Sequence, residues 1–212
     1  MVVALGLFAV WGGREPLDPN QPEQTYRSNK VAVDFFRSYG DIQALVDSST
    51  VVVEGTIEAI EYGPVVGDGG GAEGFLDVSV RVATSFLGAE EGAIVHALVL
   101  GYDPDSRGVQ IATETHPVEI GARGVWFLRP TQLDTTGPGL YPVSSTGWIK
   151  EGSDGTAVTS GQDPVAAETC GKDMEIVSAE IQRAVAAKSS QQGGPEPTGG
   201  AVSMANECVA DL

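Results

Sequence analysis

One turn in the chain comes closest to a chemical signature. Asp103, Asp105, Gly108 and Glu114 fall at positions 1, 3, 6 and 12 of a calcium-loop spacing, in which oxygens from both ends of a loop surround a hard cation. Three features oppose that reading. Arg107 sets a cation where a ligand oxygen belongs, Pro104 stiffens the entry, and the flanks carry strand periodicity where helices are required. Asp103, Asp105 and Glu114 therefore stand as weak metal candidates, with an acidic hairpin turn as the alternative. The two histidines offer less. His96 lies within an apolar strand, as a core or barrel-facing side chain, and His116 precedes Pro117 in a loop. A Ser/His/Asp site would need one of them beside Ser144 or Ser145, yet the chain has no Gly-x-Ser-x-Gly elbow. It has no His-Glu-x-x-His pair to anchor a catalytic zinc either. Residues 67–74 hold five glycines, but without Gly-Lys-Ser/Thr, and Asp68 and Glu73 would repel a phosphate. No catalytic residue, cofactor or firm metal site is assigned. The expectation is a protein that is not an enzyme, with a hydrolase assembled from scattered residues as the rival.

The charge narrows the partners. Acidic residues outnumber basic ones 29 to 12, for a net charge of −17. A surface this negative repels phosphate backbones and anionic headgroups, which excludes nucleic acid as an expected partner. A protein, peptide or glycan remains. Cys170 and Cys208 have no metal-ligand spacing around them and suit a single disulfide, worth about 3–4 kcal/mol if it closes that loop. Two unrelated buried thiols are the alternative.

These side chains must be positioned by strands. In residues 50–62 (TVVVEGTIEAIEY), Val51, Val53, Ile57 and Ala59 share one parity and Glu54, Thr56 and Glu58 the other, the period of a half-buried strand. Gly55 interrupts the strand where it can bend or admit another backbone, and after Ala59 the parity slips to Ile60 and Tyr62. A long, bulged strand suits the corner of a small barrel. Leu76, Val78, Val80, Val82 and Phe86 then alternate with Asp77, Ser79 and Arg81. Residues 94–100 are apolar on both parities except at His96, which predicts a central strand covered on both faces. Residues 109–113 can pair back, residues 125–128 (VWFL) form a further strand, and residues 140–150 and 156–159 form a last hairpin around GSDG. Asp41 caps a short helix with Ile42, Leu45 and Val46 on one face. From Asp173 the period becomes helical, with Met174, Val177, Ile181, Ala184, Val185 and Lys188 on one stripe.

The ends read differently. Residues 1–13 form an apolar run ending in Trp11 and Gly-Gly, too short for a span of about 20 residues. They are expected to be an anchor or signal remnant, with a short buried strand or a disordered apolar end as the alternative. Residues 14–30 are a Pro-containing polar linker, residues 31–188 the domain, and residues 189–212 a flexible Gly/Pro/Ser/Gln-rich tail that Cys208 would tie back. The expected location is extracytoplasmic, membrane-anchored or secreted.

The order VDSS, VVVEGTIEAI, SFLG, EIGARGVWFLRP and GLYPVSSTGWIKEGSDG resembles the OB-fold-like, netrin/tissue-inhibitor-like domains of exported bacterial proteins, over residues 41–158. The resemblance implies a mainly β fold: a small five-stranded antiparallel OB-like barrel with a short N-terminal helix and a C-terminal amphipathic helix. It also implies an interaction or ligand-binding role at the envelope, as against a structural one. In such barrels an exposed sheet face binds ligands, which makes Trp126 and Trp148 candidates for a ligand face, although aromatics so placed are ordinarily core. The inhibitors of this fold use an N-terminal cysteine as metal ligand. The chain has none near its start, so that mechanism does not transfer.

Overall fold

A computed structural model describes residues 38–66, 72–105, 117–130, 140–143, 147–159 and 164–191. The chain opens with α1 (Ile42–Asp47), in which the Asp41 carboxylate accepts the amide of Ala44 at 2.8 Å, as its position before the apolar stripe predicts. Among the described residues seven strands follow: β1 (Val51–Val66), β2 (Glu73–Leu87), β3 (Ile94–Tyr102), β4 (Arg123–Pro130), β5 (Leu140–Pro142), β6 (Trp148–Glu151) and β7 (Ala157–Val158). Two helices close the described chain, α2 (Pro164–Thr169) and α3 (Met174–Gln191).

The fold is mainly β, as the alternation requires, but it is not a closed barrel of five antiparallel strands. One sheet runs in the order β1-β2-β3-β5-β4-β6-β7, and β1 also pairs with β4. The sheet thus curls until its two sides approach. The seam between β3 and β5 is parallel and consists of the single pair Ala97–Leu140, so the sheet stays open there. The strand count differs because the run expected over 140–150 is split in two and β7 adds a further short strand beside β6. Both pieces lie along β4, β5 against Leu128–Pro130 and β6 against Gly124–Trp126. Phe127 accepts from the amide of Val143 at 3.0 Å and donates to the carbonyl of Gly147 at 2.8 Å, holding both sides of the break.

The curl begins in β1. Its register against β2 shifts between Glu54 and Gly55 and again between Ile57 and Ala59, where the alternation itself slips. A side chain at Gly55 would stand 2.7 Å from Cγ1 of Val80 and would run into the carbonyl of Arg81. Only a residue without Cβ lets the two strands come that close.

Two hydrophobic clusters result, and neighbouring residues alternate between them. Val53, Trp126, Leu128 and Trp148 face the inside of the curl, together with Val78 and Val80. Val52, Val125, Phe127 and Ile149 face the other way, against Leu45 and Val46 of α1 and Val177 and Ile181 of α3. α3 begins where Asp173 predicts, with its carboxylate accepting the amide of Glu175 at 2.8 Å, and continues beyond the expected end at Lys188. Lys188 is on the apolar stripe for a reason its spacing does not reveal. Its ammonium donates to the carbonyls of Val46 (2.9 Å), Asp47 (3.1 Å) and Ser49 (2.7 Å), at and just past the end of α1.

Several expectations lie outside the described residues: the segments 1–13 and 14–30, the pairing of 109–113, Glu114, His116, Ser144, Ser145, and the tail beyond Gln191 with Cys208. Cys170, just past α2, is not a free thiol. Among the described residues no helix is long and apolar enough to cross a membrane.

Candidate functional site

Strands β1, β4 and β6 bury both faces of the sheet where they carry Val52 and Val53, Trp126 and Phe127, Trp148 and Ile149. Strands β2 and β3 do so only over part of their length, at Phe75 to Val78 and at Ala97 and Leu98. Their inner residues Leu76, Val78, Val80, Val95 and Ala97 fill the curl, while the opposite parity forms an outer face, with Arg81, Ile94 and His96 exposed at one end. The expectation that β3 is covered on both faces holds from Ala97 onward, where both parities are buried or half-buried, and is corrected at Ile94 and His96. Apolar residues on both parities mark burial only if a second layer lies over the strand, and the helices lie over β1, β4 and β6 instead. Towards its other end the outer face is buried, at Phe75, Asp77 and Leu98.

The register sets Ser79 opposite His96, and Asp77 two residues away on the same face. His96 Nδ1 lies 2.9 Å from the Asp77 carboxylate and 3.5 Å from the Ser79 hydroxyl. The carboxylate is buried, whereas the histidine side chain is 55% exposed. His96 is thus neither core nor barrel-facing. The trio has the members of a nucleophilic triad but not its geometry. A triad sets serine on Nε2 and the carboxylate on Nδ1, whereas here both share Nδ1. What remains is an imidazole fixed in orientation by a buried carboxylate, able to give or take a hydrogen bond at its outer edge.

Arg81 extends the face. Its guanidinium makes a two-point contact with Glu58 of β1, both bonds at 2.8 Å, and donates to the Gly92 carbonyl at 2.9 Å. The side-chain hydrogen bond to Arg81 holds the Glu58 carboxyl below the ordinary carboxylate range, while the same bond raises Arg81. One cation thereby joins β1, β2 and the β2–β3 turn.

The remaining candidates separate. Trp126 and Trp148 are buried, stacked with ring centroids 4.7 Å apart and planes 12° from parallel, so they fill the curl and do not form an exposed ligand face. A side chain at Gly124 would stand 2.8 Å from Nε1 of Trp148, so that glycine admits the stack. Asp103 accepts the amide of Asp105 at 2.9 Å, which makes the first part of the calcium-like spacing an Asx turn. No group of three metal-ligating side chains occurs among the described residues. A second ionic group was not foreseen. Arg123 pairs with Glu54, buried beside Gly55, and with Glu151 at 3.3 Å, and Ser178 of α3 donates to Glu54 at 3.5 Å. It fastens helix to sheet, with the Arg123 side chain half-exposed.

Sequence alternation alone assigns Asp77, Ser79 and Arg81 to one side of β2. It carries no signal that His96 is their neighbour, because that depends on register across the 88–93 turn. No protein-family model, curated protein or solved structure matches the chain.

Proposed function

We propose that the chain is an interaction module without catalytic activity, and that it binds a protein, peptide or glycan on the outer face of β2 and β3. The observation that carries this reading is the contrast between a filled interior and an oriented, exposed outer face. The stacked tryptophans occupy the inside of the curl, while His96 is turned outward by Asp77 beside the Arg81–Glu58 pair. The OB-like reading is supported by the ring of pairings β1-β2-β3-β5-β4-β1, and partly open barrels of that kind bind ligands on the face of their second and third strands. Placement at the cell envelope rests on the apolar run 2–10 and the polar linker after it.

The test is a glycan-array and peptide-display screen with the full chain, followed by His96→Ala and Ser79→Tyr. Each variant is expected to weaken the recovered ligand at least about tenfold, about 1.4 kcal/mol, with an unchanged circular dichroism spectrum. A ligand that binds both variants as tightly as the parent would remove the site from this face.

A further inference from the structure

The outer face ends at the β2–β3 turn, and its surroundings there are specific enough to name a partner. Ile94 and Ile120 are 36% and 54% exposed, two of the four large hydrophobics exposed among the described residues. Ile94 is the cross-strand partner of Arg81. Ile120 sits in the turn that hydrogen-bonds to Ile57 on the far edge of β1, through Gly121 (2.8 Å) and Ala122 (2.9 Å). The two isoleucines thus flank the Arg81–Glu58 pair across roughly three strand spacings, about 14 Å.

The charge around them is one-sided. Glu90 and Glu91 are exposed in the β2–β3 turn beside Ile94 and make no ion pair among the described residues, and Glu119 adjoins Ile120. The cations here are already held, Arg81 by Glu58 and Lys150 by Glu119 at 3.1 Å. Elsewhere Arg123, Lys172 and Lys188 are likewise engaged. Two exposed isoleucines with the unpaired Glu90 and Glu91 carboxylates beside one of them fit a segment carrying aliphatic and cationic side chains together. A second copy of the chain, also at −17, would be repelled.

Resting on the binding-module reading, we infer that this end of the face docks a cationic, aliphatic peptide segment of a partner protein. The probe is a fluorescein-labelled peptide of alternating lysine and leucine, with its glutamate–leucine counterpart as control, followed by anisotropy. The lysine peptide is expected to bind and the glutamate peptide not to bind. Raising salt from about 50 to 300 mM weakens the lysine peptide, because exposed charges are then screened. E90Q/E91Q and I94S/I120S are each expected to weaken it about fivefold to tenfold, with unchanged circular dichroism, as loss of rim charge and of apolar contact should. Equal affinity for both peptides, or for parent and both variants, overturns the inference, as does concentration-dependent dimerisation lost in I94S/I120S. If the lysine peptide fails to bind while a ligand from the screen is lost in His96→Ala, this inference falls and the module reading stands. If the peptide binds through the isoleucines but no ligand responds to His96→Ala, the site placed around His96 falls instead.

Discussion

β4 and β2 are both read from the sequence as strands, yet they do different work. In β4, Val125, Trp126, Phe127 and Leu128 are all fully buried, because successive residues feed two separate clusters. In β2, one parity enters the inner cluster, while the other is buried at Phe75 and Asp77, half-buried at Ser79 and exposed at Arg81. A strand between two apolar layers can only serve stability. Where one side of a strand stays open a face is left over, which is why the candidate site lies at the Arg81 and His96 end of β2 and β3.

The largest expected effects test the two-sided half of that contrast. Trp126→Ala and Phe127→Ala, neighbours that face opposite clusters, should each cost about 3–5 kcal/mol in urea unfolding. Only Trp126→Ala should remove the near-ultraviolet signal of the stacked indoles. If Phe127→Ala removes it too, the two clusters are one. A smaller loss is expected at the bend. Gly55→Ala drives a methyl into the Arg81 carbonyl and should destabilise by about 1–3 kcal/mol, read as a lower urea midpoint with an unchanged slope. A neutral outcome would show that the close approach of β1 and β2 is dispensable to the curl.

The smallest effect belongs to the open face. Glu58 has its folded pKa depressed by the Arg81 hydrogen bond, so its contribution is present above the unfolded value of about 4.3 and is lost as pH falls through the lower folded value. Glu58→Gln should therefore lie slightly below the parent in stability above about pH 6, lose less as pH falls from about 5, and converge with the parent on the acid limb. Asp154, likewise depressed, by the hydroxyl and then the amide of Thr156, serves as an internal control, since Glu58→Gln leaves it intact. Identical pH profiles for parent and variant would mean that the exposed pair is fully screened.

Much of this architecture is legible in the residues. The Asp41 and Asp173 caps, the alternation of Leu76 to Val82 and the slip of parity after Ala59 depend on neighbours a few positions away, and each appears in the structure as read. The short helix α2 was missed. Its six residues are too few for a period to show, although Pro164 at its start fits a first helical position.

Which strands would be covered twice, and hence where a site could lie, was decided only by the tertiary structure. Apolar residues on both parities appear in β3 and in β4 alike, yet α1 and α3 settle over β4, and Lys188 clamps them together there. The same holds for His96. Its chemistry depends on Asp77, nineteen residues away, and on a register fixed by the β2–β3 turn. Local spacing sets the period of each element through backbone geometry. The pairing of faces is set by which apolar surfaces meet when the sheet curls, and that is a property of the whole chain.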